Sequence, residues 1–153
     1  MVEKIKVKAS IDEIIESLHN TKGAETIQFD IKIKEQESFY SDAQRFNTIL
    51  ENLISNAIKY HKKSGQSRFI KIVGKTDKDN LNLIIKDNGI GIAPEYHNKI
   101  FDMFFRLSGK TDGSGIGLYI VKEILGKLQG SIKLNSKLGV GTSIDITLKN
   151  LMP

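Results

Sequence analysis

The 153 residues fit one domain around one core, and a make-up of 39% apolar and 27% charged residues excludes a disordered chain. There is no cysteine, which excludes disulfides, thiolate metal sites and cysteine nucleophiles and suits a reducing compartment. The formal net charge of +5 is scattered along the sequence, with Lys62-Lys63 the one adjacent basic pair and no aromatic residues interleaved with a basic stripe, so nucleic acid is not an expected partner.

No apolar run approaches the roughly 20 residues of a membrane-spanning helix, and Met1 is not followed by the apolar core of a signal peptide. A cytoplasmic chain is expected, within a parent that could itself be membrane-anchored. Part of the positive excess could serve an anionic ligand.

Residues 1–9 are lysine-rich and read as an incoming linker. Ser10 with Glu13 forms a capping-box pattern, and Ile11, Ile14, Ile15 and Leu18 follow at helical spacing. Ile27, Phe29, Ile31 and Ile33 alternate with polar residues, as a half-buried strand does. Phe39-Tyr40 marks a short strand, and Asp42 can cap a long helix running to about Lys62.

Phe69–Thr76 and Leu81–Lys86 read as a hairpin closed by Asp77-Lys78-Asp79-Asn80. Ala93-Pro94-Glu95 has the form of a helix start. Residues 107–114 are a polar, glycine-bearing loop. Ile116–Leu128 is a third amphipathic helix stopped at Gly130. Strands around Gly139-Val140-Gly141 close the chain, and residues 151–153 are left as a tail. About three main helices and five or six strands, with helices set apart from hairpins, predict an α+β two-layer sandwich with helices on one face of a mixed sheet.

Three stretches could carry chemistry. In the helix that carries ENLISNAIKY (Glu51–Tyr60), a rotation of about 100° per residue gathers Phe46, Ile49, Leu50, Leu53 and Ala57 on one face. Asn52, Asn56 and Lys59 share one border of that face, with Tyr60 between them and the apolar stripe, while Glu51 lies on the opposite border. Neutral amides beside a lysine could cradle phosphate oxygens and a hydrated magnesium ion. Taken alone, a water-facing helix edge is the plainer account.

In KDNGIGI (Lys86–Ile92), a strand delivers Asp87 into a turn with Gly89 and Gly91. A flat ligand could approach there and an exocyclic amine could donate to the carboxylate, but a capped turn explains the pattern equally well. In DGSGIGL (Asp112–Leu118), three alternating glycines lead into a helix whose free N–H groups can bind an anion. Gly109-Lys110-Thr111 is not a Walker A loop, because Phe105 stands where an upstream glycine is required. The glycine run is not a dinucleotide fingerprint either, because Leu118 replaces its third glycine.

Taken in order, the N-rich helix, DNGIG, IFDMFFR, GSGIGL and GVGTS resemble the catalytic, ATP-binding domain of sensor histidine kinases. That family belongs to the GHKL superfamily, whose fold is the Bergerat α/β sandwich. The resemblance runs from Ile11 to Leu148.

It implies ATP and Mg2+ as cofactors, with Asn56 as the metal ligand. Asn52, Lys59 and Tyr60 would lie by the nucleotide, and Asp87, Gly89 and Gly91 would form the adenine end. Phe101, Phe104 and Phe105 would anchor a lid, with Arg106 reaching the phosphates. Gly115, Gly117 and Leu118 would contact phosphate through backbone, and Thr142 would lie near the adenine. Asn52, Lys59 and Arg106 would then be the catalytic residues. Without the resemblance, the three phenylalanines read as core packing and Lys110 as water-facing.

GHKL ATPases such as gyrase and MutL carry a glutamate four residues before the metal asparagine, a position held here by Asn52. That departure implies transfer to a partner side chain rather than hydrolysis. His19, His61 and His97 lack the setting of an acceptor histidine, and no helical hairpin precedes Ser10. The expected organisation is a linker over 1–9 from an upstream dimerisation domain, then an ATP-binding domain over 10–150. The implied partners are that dimerisation and phosphoacceptor domain and, indirectly, a response-regulator receiver domain, with the isolated chain a monomer. The alternatives are a nucleotide-binding sensor or scaffold without transfer, and a GHKL ATPase.

Overall fold

The structure, a computed structural model, describes residues 1–62, 67–106 and 117–153. Among these the chain order is β1 (Val2–Ile5), α1 (Val7–Ser17), β2 (Ile27–Glu35), β3 (Phe39–Asp42), α2 (Ala43–Lys59), β4 (Arg68–Thr76), β5 (Asn80–Asp87), α3 (Gly117–Lys127), β6 (Ser131–Lys137) and β7 (Gly141–Lys149). The main sheet has the order β2-β4-β5-β7-β6. Only β2 and β4 run parallel, joined by a crossover through α2, and the other neighbours are antiparallel. This is the expected mixed sheet with helices on one face.

Strand alternation decides which face the helices cover. Ile70 and Ile72 of β4, Leu81 and Leu83 of β5, and Ile146 and Leu148 of β7 are fully buried. They meet the apolar stripe of α2, where Phe46, Ile49, Leu50, Leu53 and Ile54 are also buried. Each such side chain contributes about 1.5–3 kcal/mol of burial, so the face of α2 that points inward is strongly specified. Asp42 caps this helix, accepting from the Arg45 N–H at 3.1 Å. The β4–β5 turn is held by Asp77, whose carboxylate accepts from the N–H groups of Asp79 and Asn80, both at 2.8 Å. Those bonds hold the Asp77 carboxyl below its ordinary pKa.

Four local expectations change. Residues 2–5, inside the expected 1–9 linker, are strand β1, antiparallel to β3 with Ile5 opposite Phe39. Helix α1 starts at Val7 rather than after Ser10, so the Ser10/Glu13 capping box does not form. Its first N–H is satisfied from a distant strand instead, the Glu35 carboxylate accepting from Val7 N–H at 2.8 Å. The segment after Ala93 makes only a single 3-10 turn, Pro94–Tyr96. The chain end is tied down: Asn150 bonds Tyr40, Ser38 and Asp77, and Leu151 N–H donates to the Tyr40 carbonyl. No helix of the described residues is long and apolar enough to cross a membrane.

The Glu35 contact gives a direct test. Glu35→Ala is expected to lower the unfolding free energy by about 1 kcal/mol, the usual cost of a lost helix cap. Equal denaturation midpoints would mean that water serves the α1 N-terminus equally well.

Candidate functional site

A cavity opens between the sheet and helices α2 and α3. Its polar wall is formed by Asn56, Tyr60, Asp87 and Thr142, and its apolar walls include Ile85, Ile92, Ile100 and Phe105. Gly91 and Leu118 complete the rim. Six residues picked out in the sequence, Asn56, Tyr60, Asp87, Gly91, Leu118 and Thr142, therefore meet in one place although they come from five segments of the chain.

Helical phase explains the α2 side. Asn56 follows Leu53 on the border of the buried stripe and turns into the cavity. Among the described residues its side-chain amide has no hydrogen-bond partner. Asn52, one turn earlier, is already engaged. Its Nδ2 donates to the Thr48 carbonyl at 2.8 Å, and its Oδ1 would sit 2.8 Å from a Cβ added at Gly117. The same added Cβ would come within 4.0 Å of Asn56 Nδ2. A side chain at Gly117 would thus fill the gap between the start of α3 and the two amides. Glu51 is exposed on the far border, as phasing predicts.

Asp87 ends β5 and stands opposite Thr142 of β7. Its Oδ1 accepts from Gly89 N–H at 2.8 Å and from Thr142 N–H at 3.3 Å. Both bonds fall on one oxygen, so among the described residues Oδ2 is left to accept from something else. Burial pushes the Asp87 carboxyl above its ordinary pKa, against the two N–H bonds that favour the anion. An ionised, half-satisfied carboxylate at the end of an apolar slot is arranged to receive a donor such as an exocyclic amine.

The turn after Asp87 is held from both sides. Asn88 accepts from Phe69 N–H at 2.9 Å and donates to the Ser67 carbonyl at 2.7 Å. Ile90 N–H donates to the Tyr60 carbonyl at 3.1 Å, which couples the end of α2 to the turn. His61 is buried in the same joint. Its Nδ1 accepts from Lys62 N–H, so the proton lies on Nε2, which donates to the Phe69 carbonyl at 3.2 Å. Gly91 has φ +72°, and a Cβ there would run into the Lys137 carbonyl, so only glycine fits.

The remaining sequence candidates lie elsewhere. Lys59 and Arg106 are exposed and do not line the cavity. Phe101 also stands outside the lining, with the Lys122 ammonium 5.6 Å from its ring centre. Phe104 is 66% exposed, so the reading of all three phenylalanines as core fails there. Gly115, Lys110 and the loop over 107–114 lie outside the described residues.

Sequence reasoning missed Ser136, whose hydroxyl accepts from Ile92 N–H at 2.8 Å, donates to the Gly141 carbonyl at 3.0 Å and lies 2.8 Å from the Thr142 hydroxyl. It also missed Ile85, Ile92 and Ile100, because apolar side chains that wall a ligand slot carry the same pattern as core.

The donor set limits what metal could bind. Among the described residues no three His, Asp or Glu side chains cluster to hold an ion. A neutral amide oxygen at Asn56 is a hard ligand that fits a magnesium ion bringing its own waters and phosphate oxygens. It would not hold a metal on its own.

The profile of the family described as histidine kinase-, DNA gyrase B- and HSP90-like ATPase matches residues 41–151. The histidine protein kinase SaeS of Staphylococcus epidermidis is 39% identical over 117 residues, which cover 74% of this chain and 33% of that protein. SaeS of Staphylococcus aureus is 37% identical over 121 residues, covering 76% and 34%. The chain thus spans about a third of the length of these relatives. Among solved structures, the mycobacterial sensor histidine kinase MprB superposes with a TM-score of 0.80 at 24% identity, covering 97% of both chains. At that identity the likeness bears on the fold alone.

Proposed function

The chain belongs to the histidine kinase-, DNA gyrase B- and HSP90-like ATPase family, as an ATP-binding catalytic domain of the sensor histidine kinase type, and we propose that it passes the γ-phosphate of Mg-ATP to a histidine on a separate dimerisation domain. A response-regulator receiver domain would then take the phosphate from that histidine.

The observation that carries this reading is Asn52. It occupies the place, one turn before Asn56, where a base would activate water, and it is an amide bonded back to its own helix. Glu51 faces away. A site that holds ATP without a carboxylate beside the phosphate end is suited to presenting the phosphate rather than hydrolysing it.

Phosphoryl transfer needs positioning and charge neutralisation more than covalent chemistry. Asp87 would fix the base through its free oxygen, and the walls of Ile85, Ile92 and Ile100 would exclude water from the ring. Asn56 would orient the phosphate end, with Gly117 leaving room for it. Magnesium, bound with the nucleotide, would neutralise the phosphate charge. Lys59 and Arg106, exposed outside the cavity lining, would reach the phosphates only once a nucleotide or partner domain draws them in.

The test is to mix this chain with a dimerisation domain bearing an acceptor histidine and γ-labelled ATP. Acid-labile, base-stable label on the acceptor is expected. Glu51→Ala is expected to leave both transfer and the low background hydrolysis unchanged. Steady hydrolysis abolished by Glu51→Ala would make this an ATPase instead, and tight ATP binding with no transfer would make it a sensor module.

A further inference from the structure

The outer face of the main sheet, away from the helices and the cavity, gathers lysines that are far apart in the sequence. β2 and β4 contribute Lys32, Lys34, Lys71 and Lys75 to it. Lys86 of β5, Lys133 and Lys137 of β6 and Lys149 of β7 join them. Only Asp30 and Asp145 oppose this charge. Eight lysines against two aspartates give a net +6, more than the formal net charge of +5 of the whole chain. The rest of the molecule therefore sums to −1.

The arrangement does not serve the fold. Lys71 stands directly opposite Lys86, and Lys34 directly opposite Lys75. Like charges in register across a sheet destabilise it. Among the described residues none of these lysines is in an ion pair. One of the two aspartates is already engaged, Asp145 accepting from Asn82 at 2.8 Å.

We propose that this sheet face docks onto the surface of an anionic lipid bilayer. The face is broad, five strands at about 4.8 Å spacing, and its charge is spread rather than focused. All eight cations are lysines, hydrated point charges that suit a diffuse planar field. Recognition of single phosphates in nucleic acid favours the arginine fork, and protein interfaces are depleted in lysine. Val73, directly opposite Ile84, puts an apolar patch at the centre of the face. The nucleotide cavity opens on the helix side, so docking would leave it free. This inference goes beyond the kinase reading and does not depend on it.

Co-sedimentation of the whole chain with phosphatidylglycerol–phosphatidylcholine vesicles tests it, with pure phosphatidylcholine as the control. Binding is expected only to the anionic vesicles and is expected to weaken with salt. The triple variant Lys34→Gln, Lys71→Gln, Lys75→Gln is expected to lose about tenfold or more of that binding. A matched variant, Lys6→Gln, Lys22→Gln, Lys127→Gln, removes equal charge from the rest of the molecule and is expected to keep it. Unchanged ATP affinity in both variants shows that they fold. No binding to anionic vesicles overturns the proposal, and so does equal loss in the two triple variants. Selective loss of duplex DNA binding in the first variant, without vesicle binding, would assign the face to nucleic acid.

Discussion

Replacing Asp87 by asparagine is expected to lower ATP affinity about 10- to 100-fold, the range of a lost hydrogen bond to a charged group, and at the same time to raise the melting temperature. The first effect follows from the two oxygens. An asparagine can keep the bonds from Gly89 and Thr142 through its Oδ1. In place of Oδ2 it then offers an N–H donor to the donor amine of adenine. The same argument predicts a partial exchange of specificity. Inosine triphosphate carries an oxygen where ATP carries the amine, so the Asp87→Asn variant should lose less affinity for it than for ATP. Titration calorimetry decides the matter, and either unchanged ATP binding or equal loss for both nucleotides would remove Asp87 from the base-recognising role.

The second effect follows from linkage. Burial raises the folded-state pKa of Asp87 above its unfolded value, so between the two values the folded state binds more protons than the unfolded state. Stability falls as pH rises through that window. Near neutral pH the ionised carboxylate therefore costs stability that asparagine does not. The stability advantage of Asp87→Asn should shrink as the pH falls through that window and be gone below the unfolded carboxyl value, while ATP affinity of the natural chain declines over the same descent. A melting temperature that drops at neutral pH would show that the two N–H bonds outweigh the burial.

What the sequence disclosed and what it hid divide along a physical line. The periods of 3.6 and 2 act within one element, so the phase of α2, the exposure of Glu51 and the position of Asp87 at a strand end could be read directly. The Asp42 cap could too, because its partner is three residues away. The Glu35 contact with Val7 spans 28 residues and leaves no local trace, and the local Ser10/Glu13 pattern pointed to the wrong helix start. The lysines give the same lesson at larger scale. Along the chain they look scattered, but strand register assembles them on one face. The isoleucine walls of the cavity were hidden for another reason, since burial against a ligand and burial against a core select the same side chains.

Asn56 carries the other large expectation, and its charge neutrality is the point of it. The amide would offer an oxygen to a magnesium ion without adding a negative charge beside the triphosphate. Asn56→Ala should reduce phosphotransfer by about 100-fold or more, the scale of removing one transition-state contact, while leaving the affinity for adenosine, which has no phosphates, unchanged. Asn56→Asp separates the oxygen from the charge. A carboxylate would bind the cation more tightly, shifting half-maximal activity to lower magnesium concentration. In the absence of magnesium it would repel the triphosphate, so metal-free ATP should bind more weakly than to the natural chain while adenosine binds equally. The opposite signs come from one substitution and need no difference in folding. If the magnesium curves of the two proteins overlie, the ion is held elsewhere, and Asn56 serves only to shape the gap between α2 and Gly117.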